Sequence, residues 1–253
     1  MSGNALLGQV VLVTGGTRGI GRAVALGAAR EGASVVVCAR HHGEDAAVLL
    51  DAVEVSGGRA LVVRADVASE ADVAALFEAA RAAFGRIDAV VNNAAVSHDA
   101  LLVSLPTERW DEVIAINLTG SFLVARQAVR VFLEQGSGGR IVTVGSLAQE
   151  GAPSNACYAA SKGGLVGLTQ AIAAEHRGRG IAANLVVAGY VETELTRGLP
   201  GPSRSALIEA CPARRPATPE EIAAVAIFLA SPRSAGLSGQ ILRAAGGLTA
   251  IPS

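Results

Sequence analysis

A short apolar run, Val10 to Thr14, stops at Gly15-Gly16-Thr17-Arg18-Gly19-Ile20-Gly21, and a helical pattern follows through Ala29. This order of strand, glycine turn and helix constrains the fold more than any other stretch of the chain. Glycines let a backbone approach a pyrophosphate, and the amides and dipole of the next helix favour its negative charge. Gly15, Thr17, Arg18, Gly19, Ile20 and Gly21 are therefore candidate dinucleotide ligands. The spacing is Gly-x-x-x-Gly-x-Gly rather than the commoner Gly-x-Gly-x-x-Gly, so alone it leaves a ligand-free glycine turn open.

The alternation continues along the chain. A second strand, Ser34 to Cys38, ends at Ala39-Arg40. An acidic residue here would hold a ribose 2′-hydroxyl, whereas an arginine accommodates a 2′-phosphate. Ala39 and Arg40 therefore favour NADP(H), and Arg18 is placed to reach the same phosphate. His42 to Val55 reads as a helix and Ala60 to Arg64 as a strand ending at Asp66-Val67. Ser69 reads as the N-cap of a helix to Phe84, with Glu70 and Asp72 in its first turn. Ile87 to Val91 is a strand running into Asn92-Asn93-Ala94-Ala95. Trp110 to Leu133 is one long helical pattern containing Asn117. Arg140 to Val144 and Ile181 to Val187 are strands, and Ala188 to Ser203 is irregular. Pro219-Glu220-Glu221 opens a helix ending at Ser231-Pro232, and Gln240 to Ala244 is the last strand. Strands alternating with helices in this way predict one α/β domain over residues 1–253. It would be a Rossmann-type, doubly wound parallel sheet of seven strands with helices on both faces.

Composition limits the function classes. Hydrophobic residues make up 51 % of the 253 positions but aromatics only 3 %, the makeup of aliphatic helices on a parallel sheet. The longest apolar run, Ile222 to Ala230, is far short of the ~18 residues of a membrane span. The first residues lack the basic start and apolar stretch of a signal peptide. A net charge of −1 without a basic block argues against a nucleic-acid binder. The three cysteines, Cys38, Cys157 and Cys211, have no metal-ligand spacing. A reduced cytoplasmic protein without metal is expected.

Chemistry concentrates between Ser146 and Lys162. Strand Arg140 to Val144 delivers Ser146, a turn with Gly151, Pro153 and Asn155 follows, and Tyr158 and Lys162 then stand four apart on a helical pattern. That spacing puts both side chains on one helix face. A tyrosine of ordinary pKa, about 10, is a poor proton donor to a developing alkoxide unless something stabilises its phenolate. A fixed ammonium does so, and Ser146 is placed to hold a carbonyl oxygen beside the phenol.

Taken together, Thr14-Gly-Gly-Thr-Arg-Gly-Ile-Gly21, Asn92-Asn-Ala-Ala95, Asn117, Ser146 and Tyr158-Ala-Ala-Ser-Lys162 closely resemble the short-chain dehydrogenase/reductases. The likeness runs roughly from Leu7 to Leu248. It implies Tyr158 as general acid, Ser146 as ligand of the substrate oxygen, and Lys162 as the group that lowers the tyrosine pKa and holds the nicotinamide ribose. Asn117 would hold a water in a proton relay behind Lys162. It also implies that Asp66 and Val67 flank the adenine and that Asn92 to Ala94 line the adenosine side. Gly189, Val191 and Thr193 would complete the cofactor site after the sixth strand.

Within that family, Ile141-Val-Thr-Val-Gly-Ser146, Gly180-Ile-Ala-Ala-Asn184, Glu192-Thr-Glu-Leu-Thr196 and Glu221 to Ala230 look like the 3-oxoacyl-[acyl-carrier-protein] reductases. That resemblance implies NADPH, an acyl carrier protein as partner with Arg130 and Arg179 docking it, and a homotetramer. In the tetramer the Trp110 and Tyr158 helices would pack across one interface. Three positions depart from the family pattern: Ala188 stands for a proline, Ala95 for a glycine, and Ala245 for an Asp or Asn. A reductase of another small ketone and a nucleotide-binding scaffold without turnover are the competing readings.

Overall fold

The computed structural model of the chain describes residues 4–40, 43–199 and 201–251. Seven strands form one parallel sheet: β1 (Val10–Thr14), β2 (Ser34–Ala39), β3 (Arg59–Arg64), β4 (Ala89–Asn92), β5 (Gly139–Ser146), β6 (Ile181–Ala188) and β7 (Ile241–Ala244). Their order across the sheet is β3-β2-β1-β4-β5-β6-β7. Chain direction across the sheet reverses between β1 and β4, and a crevice forms at such a switch point beyond the C-terminal ends of the strands.

The helices cover both faces, because successive strand residues point to opposite sides. Val11, Val13, Val35 and Val37 meet Val24, Ala28, Leu49, Ile222, Ala226 and Leu229 on one face. These belong to α1 (Gly19–Arg30), α2 (Glu44–Val55) and α8 (Pro219–Ala230). On the other face Val10, Leu12 and Val36 meet Leu76, Phe77, Val124 and Phe132, from α3 (Glu70–Phe84) and α5 (Gly120–Gln135). Two N-termini are as expected. The Ser69 hydroxyl accepts from the amide of Asp72, and Thr218 forms a reciprocal capping box with Glu221 on α8.

Beyond shifts of one or two residues at strand ends, three stretches differ from the sequence reading. The helix expected from Trp110 to Leu133 is α4 (Thr107–Ile114) and α5 separated by a wide π turn, Ala115–Thr119. The turn is held by its own side chains: Asn117 bonds outward to Val96, and the Ser121 hydroxyl donates to the Asn117 carbonyl at 2.7 Å. Inside the stretch read as irregular, Ala188 belongs to β6 and α7 (Gly201–Ala210) begins. Pro202 looks like a breaker but sits in the first turn of α7, where its missing N–H has no helical partner to lose. The helix expected from His42 starts at Glu44, and His42 itself lies outside the described residues.

Candidate active site

The glycine turn is pinned from below. Asn93 donates its Nδ2 to the carbonyls of Thr14 at 2.9 Å and Gly15 at 3.0 Å, and the Thr14 hydroxyl accepts from the amides of Asn93 and Ala94. Gly15 and Gly19 have φ of 61° and 51°, a region that favours glycine. At Gly21 a Cβ would stand 2.3 Å from the Gly15 carbonyl oxygen and 2.4 Å from Asn93 Nδ2. The N-terminus of α1 has no side-chain cap and no acidic residue in its first turn. Its amides and dipole therefore face outward uncompensated, and the turn fits the pyrophosphate of a dinucleotide.

The remaining cofactor candidates divide between two places. Ile20, Gly189, Val191, Thr193, Tyr158 and Lys162 all line one cleft of about 540 Å³ at the C-terminal edge of the sheet. Arg40, Asp66 and Val67 follow the ends of β2 and β3. Arg40 is exposed, and its carbonyl accepts from Arg64 Nε at 3.2 Å, so a second guanidinium that the sequence reading passed over stands beside it. The Asp66 carboxylate holds the Ala68 amide, and Val67 is buried. Arg18 is paired with Glu194 at 2.5 Å. Asn92 is buried and donates to the Ser121 carbonyl, so Asn93, the next residue, faces the cleft.

Ser146, Tyr158, Lys162 and Asn117 come together from three elements. Ser146 ends β5, and its Oγ accepts from the Ala148 amide at 3.2 Å, which leaves the hydroxyl proton free to donate. Tyr158 and Lys162 lie on α6 (Ala156–Glu175). The Lys162 ammonium stands 5.5 Å from the centre of the Tyr158 ring and donates to the Val144 carbonyl at 2.8 Å. Asn117 reaches the same helix from the π turn: its Nδ2 donates to the Val96 carbonyl at 2.9 Å and to Ser161 Oγ at 3.0 Å, while its Oδ1 accepts from the Val96 amide. Ser161 Oγ in turn donates to the Tyr158 carbonyl. Asn117 thereby ties the exit of β4 to the turn of α6 that carries Tyr158. Such wide turns recur at functional sites, but a helical periodicity in sequence does not disclose them.

Burial sets the protonation of the pair. It pushes the Tyr158 phenol up to about 12, opposed by the Ser146 hydroxyl, and the Lys162 ammonium down to about 8. The group that opposes the rise at Tyr158 in this structure is thus Ser146, while Lys162 is engaged with Val144. Tyr158 is a phenol and Lys162 largely an ammonium at neutral pH, the states needed to donate a proton and to stabilise the phenolate left behind.

Arg130 and Arg179 are both exposed. Arg130 lies late on α5, which ends just before β5 begins, and Arg179 lies two residues before β6. Both therefore sit at the N-terminal edge of the sheet, opposite the cleft of the same chain. Among the described residues no cluster of His, Cys, Asp and Glu is able to hold a metal, and no helix is long and apolar enough to cross a membrane. Cys38, Cys157 and Cys211 are free and buried.

Known proteins resemble this chain in sequence and in fold. The family model described as enoyl-(acyl carrier protein) reductase matches residues 15–249. A 3-oxoacyl-[acyl-carrier-protein] reductase of Synechocystis sp. is 38 % identical over 246 residues, 96 % of this chain and 98 % of that protein. The 3-oxoacyl-[acyl-carrier-protein] reductase of Escherichia coli is 36 % identical over 242 residues, 95 % and 97 % of the two chains. A crystal structure of a short-chain type dehydrogenase/reductase from Mycobacterium marinum superposes with a TM-score of 0.92 at 34 % identity, covering 96 % of each chain. The chain therefore belongs to the short-chain dehydrogenase/reductase family, oxidoreductases that interconvert C–OH and C=O with a nicotinamide cofactor.

Proposed function

We propose that this chain is an NADPH-dependent ketoreductase that converts a 3-oxoacyl thioester on an acyl carrier protein to its 3-hydroxyacyl form. The observation that carries the reading is the Tyr158 phenol in the cleft, with a free Ser146 hydroxyl proton on one side and the Lys162 ammonium behind its ring. The near-full-length likeness to two proteins named 3-oxoacyl-[acyl-carrier-protein] reductase supports the substrate.

Ser146 donates to the ketone oxygen and fixes its direction. When bound, the reduced nicotinamide supplies the hydride that the ketone carbon receives. As negative charge develops on the oxygen, Tyr158 gives up its phenolic proton, and an acid held at about 12 is fully protonated beforehand at neutral pH. Lys162 stabilises the phenolate that results and helps to return a proton to it. Asn117 holds a water on that path: its side-chain amide hydrogens are engaged with Val96 and Ser161, so the water would sit at an oxygen of Asn117. The glycine-turn amides from Gly15 to Gly21 would hold the pyrophosphate and Arg18 and Arg40 the 2′-phosphate. Asp66, Val67, Asn92 and Ala94 would hold the adenosine side, and Lys162, Gly189, Val191 and Thr193 the nicotinamide end. Arg18 is released from Glu194 when it turns to the phosphate.

A homotetramer accounts for the place of the docking arginines. Where α5 and α6 of two copies pack antiparallel, the N-terminal sheet edge of one copy approaches the cleft of the other. A carrier held by Arg130 and Arg179 then serves the neighbouring cleft. The test is an NADPH-oxidation screen with a 3-oxoacyl carrier protein, its coenzyme A analogue and unrelated ketones, together with titrations of both cofactors. The carrier-bound substrate is expected to give the highest kcat/KM and NADPH the lower Kd. Tighter binding of NADH, or a preference for an unrelated ketone, refutes the corresponding part.

A further inference from the structure

The cleft has two unlike walls. Strand order places Ser146, at the end of β5, between the loop that leaves β4 and the segments that leave β6 and β7. On the β6–β7 side the lining is uncharged and rich in aliphatic side chains, with Leu195, Leu199, Leu207, Leu248 and Ile251 beside Thr193, Thr196 and Ser203. The loop after β4 contributes Asn93, Ala95, Ser97 and Asp99, and Asn155 joins them from the N-cap of α6. Asp99 and Lys162 are the charged residues among the described lining, and Lys162 is buried against the Val144 carbonyl. The Asp99 carboxylate has no ion-pair partner among the described residues.

This polar wall is built. Asn155 stands at the N-cap of α6, a position where an asparagine side chain usually caps the helix. Here it makes no cap bond. Its Oδ1, the atom that would cap, accepts from Ser97 Oγ at 3.3 Å instead, and its Nδ2 donates to Asp99 at 2.7 Å and to Ser97 Oγ at 3.1 Å. Backbone fastens the same two segments, with the Ala100 amide donating to the Ser154 carbonyl at 2.8 Å and a parallel bridge between Ala100 and Asn155. Asp99, an exposed residue of the cleft lining, is thus held by Asn155, which stands three residues before Tyr158. Its position comes from tertiary bonds.

We propose that Asp99, steadied by Asn155, is a specificity-determining residue. It accepts a ketone whose polar arm is uncharged and carries N–H donors, and it turns away one whose arm ends in a carboxylate. The inference deepens the ketoreductase reading and rests on it. A ketone held at Ser146 and Tyr158 directs one arm to each wall. An acyl chain suits the aliphatic wall, and a thioester followed by an amide-bearing arm suits the other. A free 3-oxo acid would bring its carboxylate toward Asp99, and two like charges a few ångströms apart repel by about fivefold in affinity even with full water screening.

The experiment uses the full chain with NADPH and measures kcat/KM for a neutral 3-oxoacyl N-acetylcysteamine thioester and for the free 3-oxo acid of the same length. Asp99→Asn keeps an acceptor oxygen for Asn155 and removes the charge. It is expected to lower the neutral-to-anion preference at least about fivefold, mainly through faster turnover of the acid, while the thioester changes less than twofold. Asp99→Glu should retain the preference. On the unmodified protein, raising ionic strength should improve the acid alone. A preference that neither Asp99→Asn nor salt alters overturns the charge filter while leaving the ketoreductase standing. If the unmodified protein reduces neither substrate, the ketoreductase reading has failed and the filter falls with it.

Discussion

Lys162 is predicted to cost stability in the cofactor-free protein. It is 3 % exposed and burial lowers its pKa from 10.5 to about 8. Holding an ammonium there at neutral pH costs ~3 kcal/mol, at 1.36 kcal/mol per pKa unit. The unfolded chain keeps that proton up to about pH 10.5 and the folded chain releases it near 8. Between those values the unfolded state binds more protons, so stability rises with pH; below about 8 the penalty is constant. Integrated from pH 7 to 10, the relief is about 2–3 kcal/mol. Lys162→Met keeps the length of the side chain and removes the charge, but leaves the Val144 carbonyl without its donor, a loss of ~1–2 kcal/mol. The variant should therefore be more stable by ~1–2 kcal/mol at pH 7, and this advantage should shrink and change sign before pH 10. The assay is urea unfolding at fixed protein concentration, followed by far-ultraviolet circular dichroism at pH 7, 8, 9 and 10. The difference between the two proteins is the quantity to read. Cys38, raised to about 12, and Tyr158 shift the stability of both proteins downward in the alkaline range. A difference that stays flat from pH 7 to 10 refutes the buried-ammonium argument.

Tyr158→Phe should lower kcat at least about 100-fold on the best ketone found while the Kd for NADPH stays within about twofold, because the hydroxyl acts only as charge develops; turnover at the wild-type rate removes Tyr158 as the proton donor. Gly21→Ala places a methyl 2.3 Å from the Gly15 carbonyl oxygen; a fluorescence titration should show NADPH binding weakened more than about tenfold, with a lowered thermal midpoint, and an unchanged Kd would show that the turn is no cofactor cradle. Arg130→Glu combined with Arg179→Glu should raise KM for a carrier-bound substrate severalfold, in a salt-dependent way, and leave a small keto ester nearly unaffected. Equal responses of the two substrates would remove both arginines from carrier docking.

What could be read from the sequence is what depends on neighbours along the chain. The strands of the inner sheet are runs of Val, Leu and Ile closed by glycine or polar residues, and their ends fell within two residues of the reading because burial on both faces permits nothing else there. Tyr158 and Lys162 share a helix, so a spacing of four fixed their common face. The features that went unread depend on residues far apart. The π turn exists because Asn117 bonds to Val96, 21 positions away, and to Ser161, 44 away; a periodicity confined to Trp110–Leu133 has no access to either. Arg64 joined Arg40 only through the pairing of β2 and β3.

Asn155 shows the same limit in its sharpest form. Locally it is an N-cap before α6, and propensity would direct its side chain to the helix amides. The loop after β4 offers it Ser97 and Asp99 instead, 58 and 56 positions away: Oδ1 accepts from Ser97, and Nδ2 makes a charge-assisted bond to Asp99, which together hold the side chain away from the helix amides. These long-range bonds thus move a residue from capping a helix to shaping a wall of the cleft. The segments that wall the cleft beside Tyr158 are set by bonds of this kind, as is Asn117, whereas Tyr158 and Lys162 share one helix and are set by local spacing. That division explains how a single sequence reads clearly for its reaction and only faintly for its substrate.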